Sequence, residues 1–126
     1  MNVTSVVTSN APLPVGPYSQ AVVCGNMLFV SGQIPLDPVN GRVVGTTIEE
    51  QARQALTNLL AIVGSQGEDV YLIVKTTVYL KDINHFPAFN AVYESMLGSR
   101  CPARSVVAVN GLPKNVLVEI EAIACR

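Results

Sequence analysis

The chain has 126 residues, of which 49% are hydrophobic and only 13% carry a charge, and its formal net charge is −1. That length suits a single domain, residues 1–126, around one core, and the missing basic block argues against nucleic-acid binding, which needs a positive footprint. The apolar share exceeds what a small monomer hides in its interior, so part of it is expected to line a contact between copies.

In chain order, Asn10-Ala11-Pro12-Leu13-Pro14-Val15-Gly16-Pro17 reads as a stiff loop, because its prolines fix φ and remove backbone donors. Ala21–Cys24 and Met27–Ser31, joined by Gly25-Asn26, have the pattern of a β-hairpin. Gly32-Gln33-Ile34-Pro35 breaks that pattern, and Asp37 to Gly41 supplies another turn. Thr47-Ile48-Glu49-Glu50 has capping-box spacing, and Ile48, Ala52, Ala55, Leu56, Leu59 and Val63 then recur at helical period. The helix is expected to end near Gly64 and Gly67.

Val70 through Leu80 predicts a central strand. Val70, Leu72, Val74, Val78 and Leu80 would share one face and Tyr71, Ile73 and Tyr79 the other, with both covered. Asn84 is a candidate cap for a second helix with Pro87 in its first turn, an apolar stripe of Phe86, Phe89, Tyr93 and Leu97, and Gly98 as its stop. Arg104–Val109 and Val116–Ala124 read as closing strands around the turn Gly111–Asn115. The order is β-β-(β)-α-β-α-β-β, the bracketed strand lying before the first helix. It predicts an α+β sandwich, a mixed sheet of about six strands with two helices on one face. The bare apolar face opposite is the expected contact between subunits.

Little else in the sequence points to chemistry. Cys24, Cys101 and Cys125 are odd in number and widely spaced, which fits neither a disulfide framework nor a metal site, and reduced thiols in the cytoplasm are expected. No leader pattern is visible, and the apolar runs are too short to cross a bilayer. His85, the only histidine, reads as a solvated residue at a helix start, and no phosphate-cradling glycine loop is present.

Two charges stand out. Arg104, in Cys101-Pro102-Ala103-Arg104-Ser105, and Glu119, in Val116-Leu117-Val118-Glu119-Ile120, lie in apolar, strand-like sequence. A charge placed there costs energy unless it is paired, solvated or used. The arginine fork matches a carboxylate, so one reading is a pocket that grips a small organic acid beside a carboxylate that handles protons. Other readings stay open: a surface arginine on an edge strand, and Glu119 and Glu121 as solvated carboxylates on one strand face. Tyr18 follows a rigid turn, and Asn90 is a polar helix position.

Taken together, the ordered segments Asn10-Ala11-Pro12, Gly16-Pro17-Tyr18-Ser19-Gln20-Ala21, Ser31-Gly32-Gln33-Ile34-Pro35, Asn90-Ala91-Val92-Tyr93, Pro102-Ala103-Arg104-Ser105 and Val118-Glu119-Ile120-Glu121-Ala122-Ile123-Ala124 resemble the RidA/YjgF family, also called the L-PSP family, over essentially the whole chain. The resemblance implies a chorismate-mutase-like fold and a homotrimer with a site in each cleft between neighbours. It implies hydrolysis of reactive 2-imino and 2-enamino acids, such as 2-iminobutanoate and 2-iminopropanoate, to 2-keto acids and ammonia. These intermediates come from pyridoxal-phosphate enzymes, and the family needs no metal or organic cofactor of its own. Arg104 matches the family's carboxylate-binding arginine and Glu119 its water-activating acid. Tyr18, Ser31, Gly32 and Asn90 match cleft-lining positions, and backbone amides near Ser31-Gly32 and Val106-Val107 would complete the pocket. Two positions depart from the family pattern. Val106 stands where Cys is frequent, so thiol regulation at that position is absent. Cys101 follows a short connection, Leu97 to Arg100, where a bulky residue often precedes Pro-Ala-Arg, which bears on substrate size. The alternatives are a non-enzymatic 2-keto acid sensor or holdase and a single-stranded RNA endonuclease.

Overall fold

The computed structural model describes residues 2–126. Six strands, β1 (Val3–Val6), β2 (Ala21–Cys24), β3 (Met27–Gln33), β4 (Leu72–Leu80), β5 (Ala103–Ala108) and β6 (Val118–Cys125), form one sheet in the order β1-β2-β3-β6-β4-β5. All pairs are antiparallel except β4 and β5. Helices α1 (Ile48–Val63) and α2 (Phe86–Leu97) pack on one face, α1 against β3, β6 and α2. The chain is thus the expected α+β sandwich, and α2 is the crossover between the two parallel strands.

Local chemistry explains most element ends. Gly25, at φ 60°, turns β2 into β3 and sets Cys24 opposite Met27. Thr47 and Glu50 close the capping box of α1, the hydroxyl accepting from the Glu50 N–H and the carboxylate accepting from the Thr47 N–H. Its apolar stripe Ile48, Ala52, Ala55, Leu56, Leu59 and Val63 is buried. Asn58, also buried, donates to the carbonyls of Ile34 and Leu36 and ties the loop after β3 to the helix.

Four expectations are corrected. The bracketed strand before α1 is only an isolated bridge between Leu36 and Val43, whereas the sixth strand is β1, at the other end of the hairpin. Val3-Thr4-Ser5-Val6 is short and mostly exposed, so only the open edge of β2 defines it as a strand. The central strand starts at Leu72, and its register against β6 shifts between Ile73 and Lys75. A bulge switches the side-chain alternation. Leu72 and Val74 therefore stay 41% and 39% exposed, while Thr76, Val78 and Leu80 are fully buried under the helices.

At the start of α2 it is Asp82, not Asn84, that caps, accepting from the Asn84 N–H of a short 3-10 turn over Ile83–His85. His85 is not a solvated residue there: it is half-buried, and its Nδ1 is out of contact with water and has no hydrogen-bond partner among the described residues.

Leu28, Val30, Val78, Val118, Ile120 and Ala124 form the core between sheet and helices. On the opposite face, strand alternation puts Phe29, 44% exposed, and Val107, 45% exposed, beside Tyr79, Glu119, Glu121 and Ile123.

Candidate functional site

Arg104 lies on β5 directly beside Thr76 of β4, and both side chains face the helices. Thr76 is fully buried, its Oγ1 2.7 Å from the Tyr93 hydroxyl of α2. Burial pushes the Tyr93 hydroxyl's pKa up, while Thr76 and Arg104 pull it down. Over this ring lies the Arg104 guanidinium, its carbon 4.8 Å from the Tyr93 centroid and 5.5 Å from that of Phe86. Both distances suit a cation–π contact. Arg104 Nη1 donates to Asn90 Oδ1 at 2.8 Å. Among the described residues the one ion pair is Arg126–Asp69, so Arg104 faces its cavity of about 590 Å³ unpaired, although Glu94 also lines that cavity. A guanidinium has five donors, and the fork is available to a planar anion. Val106, next on the same face, is half-buried, and β5 ends the sheet, so its outer backbone edge has no strand partner among the described residues.

Glu119 belongs to a second concavity of about 430 Å³, lined on its apolar side by Pro12, Leu13, Val15 and Ile34, with Tyr18, Ser31, Gly32 and Lys114 around it. The register of β3 shifts between Val30 and Gln33. At Gly32 this brings the backbone against the carboxylate: a Cβ there would lie 2.0 Å from Glu119 Oε2. Any side chain at this position must displace the Glu119 carboxylate. Ser31 Oγ donates to the Ser19 carbonyl at 2.6 Å, pinning the proline loop to β3.

Gln20 was not singled out from the sequence, yet it organises this side. Its buried amide accepts from the Thr8 N–H at 2.7 Å and donates to the carbonyls of Thr8 and Pro12, each at 2.9 Å. The legible signal was a glutamine directly preceding the apolar β2 run, a position that demands partners when buried. Tyr18 remains 50% exposed on the rim.

Burial, and then the negative charge of Glu121, hold the Glu119 carboxyl above the usual carboxylate range. Glu121 accepts from the Tyr79 hydroxyl at 3.2 Å. A carboxyl that binds its proton more tightly when folded makes stability fall as pH rises from the ordinary value of 4.5 through its raised one. Glu119→Gln is expected to flatten that fall and to raise the urea midpoint at neutral pH; midpoints measured from about pH 4 to about pH 8 check it.

One chain does not bring the two charges together. Thr76 beside Arg104 and Tyr79 beside Glu119 are three residues apart on β4, beyond its bulge, so their side chains point to opposite faces. Arg104, Asn90 and Val106 lie on the helix side. Glu119 is on the bare side, in the groove that Tyr18, Ser31 and Gly32 also line, and Val107 shares that face. Among the described residues, no cluster of three His, Cys, Asp or Glu side chains is placed to hold a metal ion, and no helix is long and apolar enough to cross a membrane.

These features define an α+β protein with an open arginine fork on one face of its sheet and an acid-lined groove on the other. Residues 8–126 match the family model described as Endoribonuclease L-PSP. The chain is 51% identical over 121 residues to a RutC family protein of Pyrococcus horikoshii, covering 96% of each. It is 50% identical over 125 residues to the 2-iminobutanoate/2-iminopropanoate deaminase of Salmonella typhimurium, covering 97% of each. The crystal structure of Escherichia coli TdcF with bound serine superposes with a TM-score of 0.90 at 43% identity, covering 98% of each chain. The chain belongs to the RidA/YjgF family, the L-PSP family.

Proposed function

We propose that this protein hydrolyses 2-imino and 2-enamino acids, 2-iminobutanoate and 2-iminopropanoate among them, to 2-keto acids and ammonia. In this reading it acts as a homotrimer whose three sites lie between neighbouring copies. The observation that carries the proposal is the separation of Arg104 and Glu119 by the thickness of one sheet, each facing its own open cavity. Two copies would complete what one cannot: the guanidinium of one protomer and the carboxylate of the next. The apolar residues of the bare face, Phe29 and Val107 among them, supply a surface for the contact. A 50% identical relative named for this activity and a relative holding an amino acid support the same chemistry.

Arg104 binds the substrate carboxylate through two charge-assisted hydrogen bonds, which fixes the imine carbon beside it. A protonated imine is already electrophilic, so no cofactor is required. Glu119 takes a proton from water as the oxygen adds to that carbon. The same proton is then delivered to nitrogen; as the carbon–nitrogen bond breaks and ammonia leaves, the hydroxyl proton returns to the Glu119 carboxylate and on to solvent, and the carbonyl of the 2-keto acid forms. General acid–base help of this kind is worth roughly a hundredfold or more. Backbone groups at Ser31-Gly32 and along β5 at Val106-Val107 close the pocket. The proposed setting is the cytoplasm, beside the pyridoxal-phosphate enzymes that release such intermediates.

The test is subunit complementation. Arg104→Ala and Glu119→Gln chains are each inactive in this reading. Mixed and reassembled in equal amounts, they regain about one quarter of wild-type activity, because one neighbour pairing in four joins an intact arginine to an intact glutamate. Recovery of no activity, with trimers confirmed by light scattering, would show that the two residues do not act across an interface.

A further inference from the structure

Arg104 needs more than the right charge; its fork must hold one plane. Three contacts set that plane: Asn90 Oδ1 at one nitrogen, and the rings of Phe86 and Tyr93 over the guanidinium. Phe86 and Asn90 are only half-buried, whereas Tyr93 is 7% exposed and ends in a hydrogen bond to Thr76, itself fully buried. Thr76 sits on β4 in register with Arg104. The strand therefore holds the arginine twice, once through backbone pairing and once through the Thr76–Tyr93 hydrogen bond and the aromatic ring above it. An arginine side chain loses rotamer freedom when it is ordered. A ring that is already immobile takes up part of that loss before the ligand arrives.

We propose that Tyr93, locked by Thr76, is a positioning residue that orients the Arg104 guanidinium for a planar carboxylate. It acts through Arg104 and does not touch the reacting atoms. The proposal rests on the reading of Arg104 as the carboxylate clamp, and its test separates the two. The probe is 2-oxobutanoate, titrated calorimetrically into the assembled wild-type protein and its variants.

Tyr93→Leu removes the ring face, and the Kd for 2-oxobutanoate is expected to rise about tenfold. Thr76→Val keeps the shape of the side chain but leaves the Tyr93 hydroxyl buried without its partner, and the Kd is expected to rise about fivefold. Thr76→Val combined with Tyr93→Phe removes both polar partners and keeps the ring. It is expected to bring the Kd back to within about threefold of wild type. In steady state the single variants raise KM while kcat stays within about threefold.

A purely structural hydroxyl pair predicts something different: lower melting temperatures with the Kd unmoved in both single variants, and that result overturns the proposal. Thr76→Val is nearly isosteric, so the question stays answerable if Tyr93→Leu does not fold. Binding of 2-oxobutanoate that survives Arg104→Ala would instead remove the clamp itself, and the positioning role with it.

Discussion

Arg104→Ala is expected to lower 2-keto acid release, measured in an assay coupled to threonine dehydratase, by about a thousandfold. Two hydrogen bonds to a charged group, each worth about 1.5–3 kcal/mol, vanish together, and the imine carbon loses its fixed position. The fold has little stake in this side chain. Among the described residues it makes one hydrogen bond, to Asn90, and no ion pair. The circular dichroism spectrum and the assembly state should therefore match wild type. Arg104→Lys is expected to fare nearly as badly, because an ammonium keeps the charge but not the planar fork. Keto acid release that persists undiminished in Arg104→Ala would exclude the arginine from the reaction.

Gly32→Ala is expected to cost about a hundredfold in kcat, close to the loss on removing the acid–base group itself. The added methyl would lie 2.0 Å from Glu119 Oε2, 2.9 Å from Cδ and 3.1 Å from Cγ. A real Cβ essentially never comes as near as the first two of these distances, so the carboxylate must swing away from its place. Gly32 has no positive φ, and alanine suits a strand well enough, so the sheet is expected to persist. If both substitutions act through the one carboxylate, Gly32→Ala in a Glu119→Gln background adds little further loss. A fully active Gly32→Ala enzyme would show that the carboxylate is not needed where it now rests.

The two residues were legible to different degrees. Arg104 and Glu119 announced themselves as charges inside apolar runs, and their neighbours in the ordered motifs pointed to one family. What made Gly32 a glycine was not legible. Its φ is ordinary, and the constraint comes from a side chain 87 positions later. Gln20 was similarly opaque, since the path of the loop from Thr8 to Pro12 must be known before its amide has partners. Tyr93 read as one member of a helix stripe, which it is. Its contact with Arg104 depends on how α2 lies across the parallel pair of β4 and β5.

Period and punctuation in the chain were enough to determine the hairpin, the capping box of α1, both helices and the two closing strands. These depend on interactions within a few residues, where side-chain alternation and turn chemistry act directly. Tertiary structure alone decided the remainder. It paired Val3–Val6 with the free edge of β2, and it placed a bulge in β4 that turns Leu72 and Val74 away from the core. It also placed Arg104 and Glu119 on opposite faces of the sheet. Strand pairing is non-local, and a one-residue shift in register moves every later side chain to the other face. Which charges can meet is therefore settled only when the strands come together.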